Sequence, residues 1–198
     1  MNRIERPRSI CYPTRMRRTL AGALCAVLAL TVAACKGPEI ASPLTGTTRL
    51  LCCNLYYEKP KITDVAYQVG TRIPFGTRVH IDHMHRNSVD FTPEGHPTIT
   101  LAYKDGDRAV PFETYLDRLL VEKDPHAGLR KVPAKRLDAI ENGRIEKGMT
   151  KDQVLMSRGI PPAHRTPSLD APAWTYWNTR WDTITVYFVG DKVERIGH

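Results

Sequence analysis

The chain has 198 residues, and its 29 Lys and Arg residues outnumber its 21 Asp and Glu residues, which gives a formal net charge of +8. Residues 1–34 contain six Arg and one Glu, so the remainder carries a formal charge of only +3. Because most of the basic excess belongs to this N-terminal segment, the charge does not indicate a nucleic-acid surface, and no nucleic-acid partner is expected. The remainder has the length of roughly one or two small domains.

Residues 1–34 have the three-part pattern of a secretory signal peptide. A basic stretch precedes an uncharged apolar run from Leu20 to Ala34. This run is shorter than the roughly 20 residues that a transmembrane helix needs. A buried core helix is the alternative, but such a helix would show polar residues at the helical period. Translation starts at Met1 or, with a shorter basic stretch, at Met16.

The apolar run ends in Val32-Ala33-Ala34-Cys35, which resembles the lipobox of bacterial lipoproteins. The resemblance implies cleavage before Cys35, acylation of that cysteine and attachment to a membrane through its acyl chains. Several acyl chains on one residue anchor a protein stably, whereas a single chain is marginal. Lys36 resembles the outer-membrane sorting case, so we expect a protein on the periplasmic face of the outer membrane. A mildly basic protein there is also attracted to anionic lipid.

Residues 35–48 follow as a predicted flexible tether, because Pro, Gly, Ser and Thr occur there without apolar periodicity. Residues 49–124 are predicted to form a β-rich domain that ends in a helix. The stretch IPFGTRVHI within it resembles the start of a strand in SH3-like barrels of bacterial envelope proteins. Pro74 and Gly76 are predicted at the second and fourth positions of a type I turn. Predicted strands cover residues 50–57, 64–70, 78–84, 88–91 and 98–105, and the predicted helix covers residues 112–123.

Two adjacent cysteines lie in the first predicted strand. Cys11 and Cys25 belong to the signal peptide and Cys35 is the lipidation site, so Cys52 and Cys53 remain. Neighbours on a strand point to opposite faces, and a bond between them would be strained. We therefore expect at least one of them to pack as a small apolar side chain, and both to be partly buried. An intermolecular disulfide and a redox pair are the alternatives.

One strand carries a group of metal-ligand residue types: His80, Asp82, His83 and His85. On a regular strand His83 and His85 share one face, and His80 and Asp82 share the other. A structural zinc site needs about four ligands, which Cys52 or Cys53 would have to complete. Because the spacing matches no usual Cys/His metal motif, an exposed polar strand is the favoured interpretation, and metal binding is the alternative. A pH-sensing role for these histidines is a further, weaker alternative.

Residues 125–135 contain two Pro and one Gly and are predicted to be a linker, and residues 136–198 are predicted to form an α+β domain. Its second helix has a complete set of end signals. Thr150 and Gln153 form a capping box, and Gly159 suits the position after the last turn. Predicted elements are a helix in residues 136–148, this second helix, and strands in residues 174–181, 182–189 and 192–198.

The last third of the chain resembles the SmpA/OmlA, or BamE-like, family of outer-membrane lipoproteins. The resemblance rests on IEKGMTKDQVLMSRGIPP, WTYW and TVYFVGDKVERI. It implies a helix–helix–three-strand module that acts by binding partner proteins and anionic lipid rather than by catalysis. The expected fold is therefore α+β, with an SH3-like module followed by a BamE-like module.

Trp174, Trp177 and Trp181 form either an aromatic patch for a partner or part of the core, and we expect at least one of them in the core. The loop at residues 163–173 is the other candidate partner surface.

The chain contains no G-x-S-x-G, phosphate loop, H-E-x-x-H or C-x-x-C motif, so neither catalysis nor a cofactor is expected. The sequence predicts a non-enzymatic envelope lipoprotein that serves as an accessory or scaffold and binds envelope proteins. The alternatives are a metal-binding or redox lipoprotein that uses the His80–His85 segment with Cys52 and Cys53, and a peptidoglycan-binding lipoprotein that uses the SH3-like segment.

Overall fold

A computed structural model describes residues 38–65, 67–104 and 110–197. The predicted signal peptide, Cys35 and Lys36 lie outside these residues. The described part has a mixed α+β fold with three α-helices and several sheets, one of them curled like half of a barrel. The predicted α+β class is therefore confirmed.

The first eight strands and one helix come from the predicted β-rich part of the chain. They are β1 (Thr48–Leu51), β2 (Leu55–Tyr57), β3 (Lys61–Thr63), β4 (Thr71–Ile73), β5 (Arg78–His85), β6 (Ser88–Pro93), β7 (Ile99–Ala102), α1 (Phe112–Leu119) and β8 (Leu120–Val121). A 3-10 helix (Pro125–Leu129) leads to the remaining elements. These are α2 (Ala134–Glu141), α3 (Lys151–Arg158), β9 (Ala173–Trp177), β10 (Thr183–Val189) and β11 (Lys192–Gly197).

The largest sheet has the strand order β3-β7-β6-β5-β1-β8. All neighbours are antiparallel except β3 and β7, which are parallel. Alternate residues of its strands point inward and are fully buried, as Val79 and Ile81 of β5 show. Helix α1 covers this face with Phe112, Leu116 and Leu119 and closes the first hydrophobic cluster.

The C-terminal strands form a second sheet in the order β11-β10-β9. Ile184, Val186 and Phe188 of β10 are buried, which confirms the alternation predicted from the sequence. They pack with α2 and α3 in a second hydrophobic cluster, together with the completely buried Trp174. The helices thus cover one face of the sheet.

Helix α3 begins at the capping box that the sequence predicts. The Gln153 backbone N–H donates to Thr150 Oγ1 at 3.2 Å, and the Thr150 N–H donates to Gln153 Oε1 at 3.2 Å. The helix ends at Gly159, whose φ of 85° favours glycine. Both predicted ends of this helix are therefore confirmed.

A buried asparagine joins the two hydrophobic clusters. The Asn54 side-chain amide donates to the carbonyls of Ile140 (3.0 Å) and Ser157 (3.1 Å), at the C-terminal ends of α2 and α3. Its Oδ1 accepts the backbone N–H of Phe75 at 3.1 Å, and its own N–H donates to the Met156 carbonyl at 2.9 Å. Because the last carbonyls of a helix have no partner within that helix, Asn54 supplies part of both helix C-caps.

Several predicted element boundaries in the β-rich part are wrong. The predicted strand at residues 50–57 is two strands, because the chain bends at Cys52 and Cys53, so β1 and β2 join different sheets. The predicted strand at residues 64–70 is absent from the described residues of that segment. The strand there is β3, which ends just before Asp64, whose buried carboxylate accepts the Lys104 N–H at 2.8 Å.

The predicted turn at residues 73–77 has a different register. The Thr77 N–H donates to the Pro74 carbonyl at 3.3 Å, so Pro74 is the first residue of the turn and Gly76 the third. Gly76 has a φ of 75°, which suits the third position of a type II turn. A Cβ atom there would also lie 2.3 Å from the half-exposed His126 ring and would displace it, so the backbone conformation requires glycine and the His126 ring packs against it.

The structure also differs from the predicted helix, tether and linker. Helix α1 ends at Leu119 because Leu120 and Val121 pair with β1. In the predicted tether, the Ile40 and Gly46 N–H groups donate to carbonyls of β5, both at 2.8 Å, so this segment lies along the sheet. The predicted linker contains the 3-10 helix, and its Leu129 is buried in the second cluster.

Candidate binding groove

A groove of about 770 Å³ lies between β8, the 3-10 helix and α3. Its volume is in the range of sites that hold small ligands or side chains of a partner. Apolar side chains from segments far apart in the sequence line it, namely Leu44, Cys52, Leu120, Val121, Leu155, Met156, Ile160 and Leu169.

A strand and a helix form the long walls of the groove. Strand β8 is the last strand of the six-stranded sheet and pairs only with β1 in the described part of the chain. Helix α3 turns Val154 and Ser157 into the core, which leaves Leu155 and Met156 half-buried on the groove side. The groove therefore offers a strand edge on one side and apolar helix side chains on the other.

Charged residues of both signs surround this apolar floor. Arg49 of β1 pairs at 3.0 Å with Glu122, which directly follows β8. Asp124 caps the 3-10 helix, since its carboxylate accepts the His126 N–H at 2.9 Å and contacts the His126 ring at 2.7 Å. These hydrogen bonds hold the pKa of Asp124 below its ordinary value. An apolar floor with a polar, mixed-charge rim is the usual anatomy of a protein–protein contact surface.

Cys52 and Cys53, which directly follow β1, are joined to each other by a disulfide bond. The expectation of two separate side chains on opposite faces is wrong, because the chain leaves the extended conformation at Cys52. The expected partial burial is confirmed: Cys53 is 1% exposed and packs in the first hydrophobic cluster, and Cys52 is half-buried and lines the groove.

The predicted metal-ligand residues of β5 do not face one another. The pairing of β5 with β6 shifts at Asp82, so His80 and His83 are both exposed whereas His85 is buried. His83 Nδ1 lies 3.0 Å from Glu39 Oε1, and this hydrogen bond and charge raise the pKa of His83 above its ordinary value.

The other two residues of this segment also have protein partners. Asp82 accepts the hydroxyl of Thr92 at 2.7 Å. His85 Nε2 lies 3.5 Å from Asp90 Oδ2. His83, Asp82 and His85 therefore each contact a different polar side chain, and none of them contacts another.

The cysteines lie at the other end of β5 from His83 and His85. The Leu51 N–H donates to the Thr77 carbonyl, which places Cys52 beyond the Arg78 end of the strand. At a strand rise of roughly 3.3 Å per residue, His85 is about 25 Å further along. Among the residues that the structure describes, no group of three or more His, Cys, Asp or Glu side chains is arranged to hold a metal ion.

The three tryptophans have three different environments. Trp174 is completely buried, so it belongs to the core, as expected for at least one of them. Trp177 is half-buried between Tyr67, whose ring meets it edge-on at 6.4 Å, and the Arg165 guanidinium at 5.2 Å. Trp181 is 89% exposed at the loop between β9 and β10. The structure therefore does not bring the three rings together into one patch.

Sequence reasoning found only one edge of the groove. The loop at residues 163–173, predicted as a partner surface, contributes Leu169. The sequence does not single out Val121 or Met156, because Val121 falls within the predicted helix of residues 112–123 and Met156 in a helix that is predicted to pack on the sheet. The signal for Val121 is the apolar Leu119-Leu120-Val121 run, which continues past the helical spacing.

The described residues therefore define a mixed α+β protein with an apolar groove and an adjacent-cysteine disulfide. Comparison of the chain with protein-family models, with curated proteins and with solved structures found no match. Across the described ranges, every helix falls short of the length and hydropathy that a bilayer-crossing helix needs.

Proposed function

We propose that this chain is a lipid-anchored cell-envelope protein that acts as a non-enzymatic accessory or scaffold by holding a partner protein in the apolar groove. The observation that carries the proposal is the groove itself. Apolar side chains such as Val121, Leu155 and Met156 line it, and the Arg49–Glu122 pair lies at its rim. A partner that inserts apolar side chains would gain about 25 cal/mol for each Å² of apolar surface removed from water.

Two features of the chain support an envelope location. The lipobox-like sequence before Cys35 provides the anchor, and Lys36 directs the protein to the outer membrane. The Cys52–Cys53 disulfide is typical of an oxidising compartment such as the periplasm and unusual in a reducing cytosol.

The proposal extends to the two modules. The order of α2, α3 and the β9–β11 meander, with the Thr150–Gln153 capping box, supports a BamE-like assignment for residues 136–198. The curled six-stranded sheet supports an SH3-like assignment for residues 49–124. In this proposal the groove lies where residues of both modules meet, and the partner contacts both.

Site-specific photocrosslinking in intact cells tests the groove. A photoreactive residue in place of Val121 should crosslink to one discrete partner. The same residue in place of Val189, a valine that is 70% exposed at the end of β10, should not. Met156→Glu should abolish the Val121 crosslink, because a charge placed in an apolar floor is costly to desolvate. Equal crosslinking at the two valines, or a crosslink that survives Met156→Glu, would contradict the proposal.

The anchor is tested separately by replacing Cys35. Wild-type protein should incorporate radiolabelled palmitate and fractionate with the outer membrane, whereas Cys35→Ser should lose the label and leave the membrane fraction. Cys53→Ser serves as the matched control, since it removes a cysteine outside the lipobox-like sequence and should keep both properties. Persistent labelling of Cys35→Ser would show that the anchor has been assigned to the wrong residue.

A further inference from the structure

The two sulfurs of the Cys52–Cys53 disulfide have different surroundings. Cys53 is 1% exposed and packs among the side chains of the first hydrophobic cluster. Cys52 is half-buried and forms part of the groove wall near Leu120 and Leu155. Because Cys52 lines the groove and Cys53 does not, a reagent that enters the groove meets Cys52 first.

Backbone hydrogen bonds on both sides tie this disulfide to the groove walls. The Cys52 N–H donates to the Leu119 carbonyl at 2.9 Å, at the end of α1. Asn54 follows the pair directly, and its N–H donates to the Met156 carbonyl at 2.9 Å, on α3. Asn54 also carries the side-chain bonds that cap α2 and α3. The disulfide therefore restrains the short segment that connects one groove wall to the other.

We propose that the Cys52–Cys53 disulfide is a thiol–disulfide exchange site for a dithiol reductant that enters through the groove and attacks Cys52. Its reduction loosens the Asn54 contacts and so changes the shape of the groove. The effect on partner binding rests on the function proposed above, whereas the exchange reaction does not.

The reaction balances as a two-electron reduction. A thiolate of the dithiol bonds to Cys52 Sγ, the bond between the two cysteine sulfurs breaks, and the electron pair goes to Cys53 Sγ, which takes a proton. The second thiolate of the reductant then attacks the reductant sulfur that is bonded to Cys52 in the mixed disulfide. Cys52 leaves as a thiolate and is protonated, and the reductant becomes an intramolecular disulfide.

Peptide mapping of the purified, lipidated full chain tests whether the disulfide is open to a reductant in the folded protein. Trypsin releases residues 50–61, a peptide that holds Cys52 and Cys53 as its only cysteines. Protein alkylated before reduction should carry no label in this peptide, and protein treated with dithiothreitol under native conditions should carry two. Two labels without reductant, or none after native reduction, would overturn the proposal.

Single variants test which sulfur is reached. Cys53→Ser leaves the Cys52 thiol in the groove wall, and Cys52→Ser leaves the Cys53 thiol in the core. The first variant should react with a small aromatic disulfide reagent at least about tenfold faster than the second, because access controls exchange. Cys53→Ala and Cys52→Ala repeat the comparison with apolar replacements, and circular dichroism identifies the pair that remains folded. Equal rates in a folded pair would overturn the assignment of Cys52.

Hydrogen exchange of the native full chain tests the coupling to Asn54. Reduction should accelerate hydrogen exchange of the Asn54 backbone N–H by about tenfold. The exchange rate of the Val186 backbone N–H, in the middle of β10, should not change. Unchanged exchange at Asn54 would refute the coupling.

Repeating the Val121 crosslinking with and without dithiothreitol separates the two proposals. A crosslink that does not respond to reduction refutes the redox control alone, and the absence of any crosslink refutes the partner groove alone.

Discussion

Asn54→Ala should destabilise the protein far more than an exposed Asn→Ala substitution. Asn54 is 2% exposed, and its side chain bonds to the carbonyls of Ile140, Glu141 and Ser157 at helix ends and to the Phe75 N–H. The Glu141 carbonyl also accepts an N–H of the Arg72 guanidinium and keeps that partner after the change. The Ile140 carbonyl keeps a second partner, the Gly143 N–H at 3.2 Å, after the change. The Ser157 carbonyl and the Phe75 N–H lose this partner inside the protein. At about 1–3 kcal/mol for each unsatisfied buried group, the free energy of unfolding should fall by about 2–6 kcal/mol.

Equilibrium urea denaturation followed by tryptophan fluorescence measures this loss, because the completely buried Trp174 reports on the core. A chain of this size should also melt on the order of 10 °C lower. Asn87→Ala is the matched control: Asn87 is exposed, and its removal should change stability by less than about 0.5 kcal/mol. If the two variants unfold at the same urea concentration, the assignment of Asn54 as the bridge between the clusters is refuted.

Three further predictions concern the burial of the tryptophans, the α3 cap and the His83–Glu39 pair. Trp174→Ala should lower the free energy of unfolding by about 3–5 kcal/mol, whereas Trp181→Ala, which removes a ring that is 89% exposed, should change it by less than about 0.5 kcal/mol. Similar urea midpoints for these two variants would contradict the burial assigned to them. Thr150→Ala should cost about 1 kcal/mol through loss of the α3 cap, measured by the same denaturation, and an unchanged midpoint would refute the cap. The pKa of His83, measured by NMR, should lie above its ordinary value. In Glu39→Gln this pKa should be lower, because the hydrogen bond to a carboxylate and its charge are lost. Since its folded pKa is raised, the pair stabilises the fold at pH below the ordinary histidine pKa, and this contribution disappears as pH rises through the raised value. Identical titration curves in the two proteins would show that Glu39 has no effect.

The C-terminal elements were predictable because their signals are local. Thr150, Gln153 and Gly159 specify the two ends of α3 within ten residues of sequence. Ile184 and Val186 alternate with polar neighbours, and that period alone identifies β10 and its buried face. In both elements the determining residues lie within the element or directly beside it in the sequence.

The junction between the clusters was not predictable, because its determinants are far apart in the sequence. The segment from Leu50 to Tyr57 is apolar or aromatic except at Asn54, and the chain bends between β1 and β2 at the Cys52–Cys53 disulfide and the buried contacts of Asn54. Leu120 falls at the helical spacing of α1, but Leu120 and Val121 pair instead with β1, so tertiary pairing overrides local preference. The candidate groove is built from these two departures, and the sequence therefore indicated only its Leu169 edge.

The junction also limits what a resemblance over the last third of the chain can explain. Residues outside that third complete the ends of its helices: Asn54 bonds to the Ile140 and Ser157 carbonyls, and Gln68 donates to the Arg158 carbonyl at 2.9 Å. Helix carbonyls of this kind need partners from elsewhere when they are buried. The helix–helix–three-strand unit of this chain is thus satisfied only together with its β-rich neighbour. The groove and the disulfide belong to that joint structure, so any partner specificity of the proposed groove would depend on the two parts together.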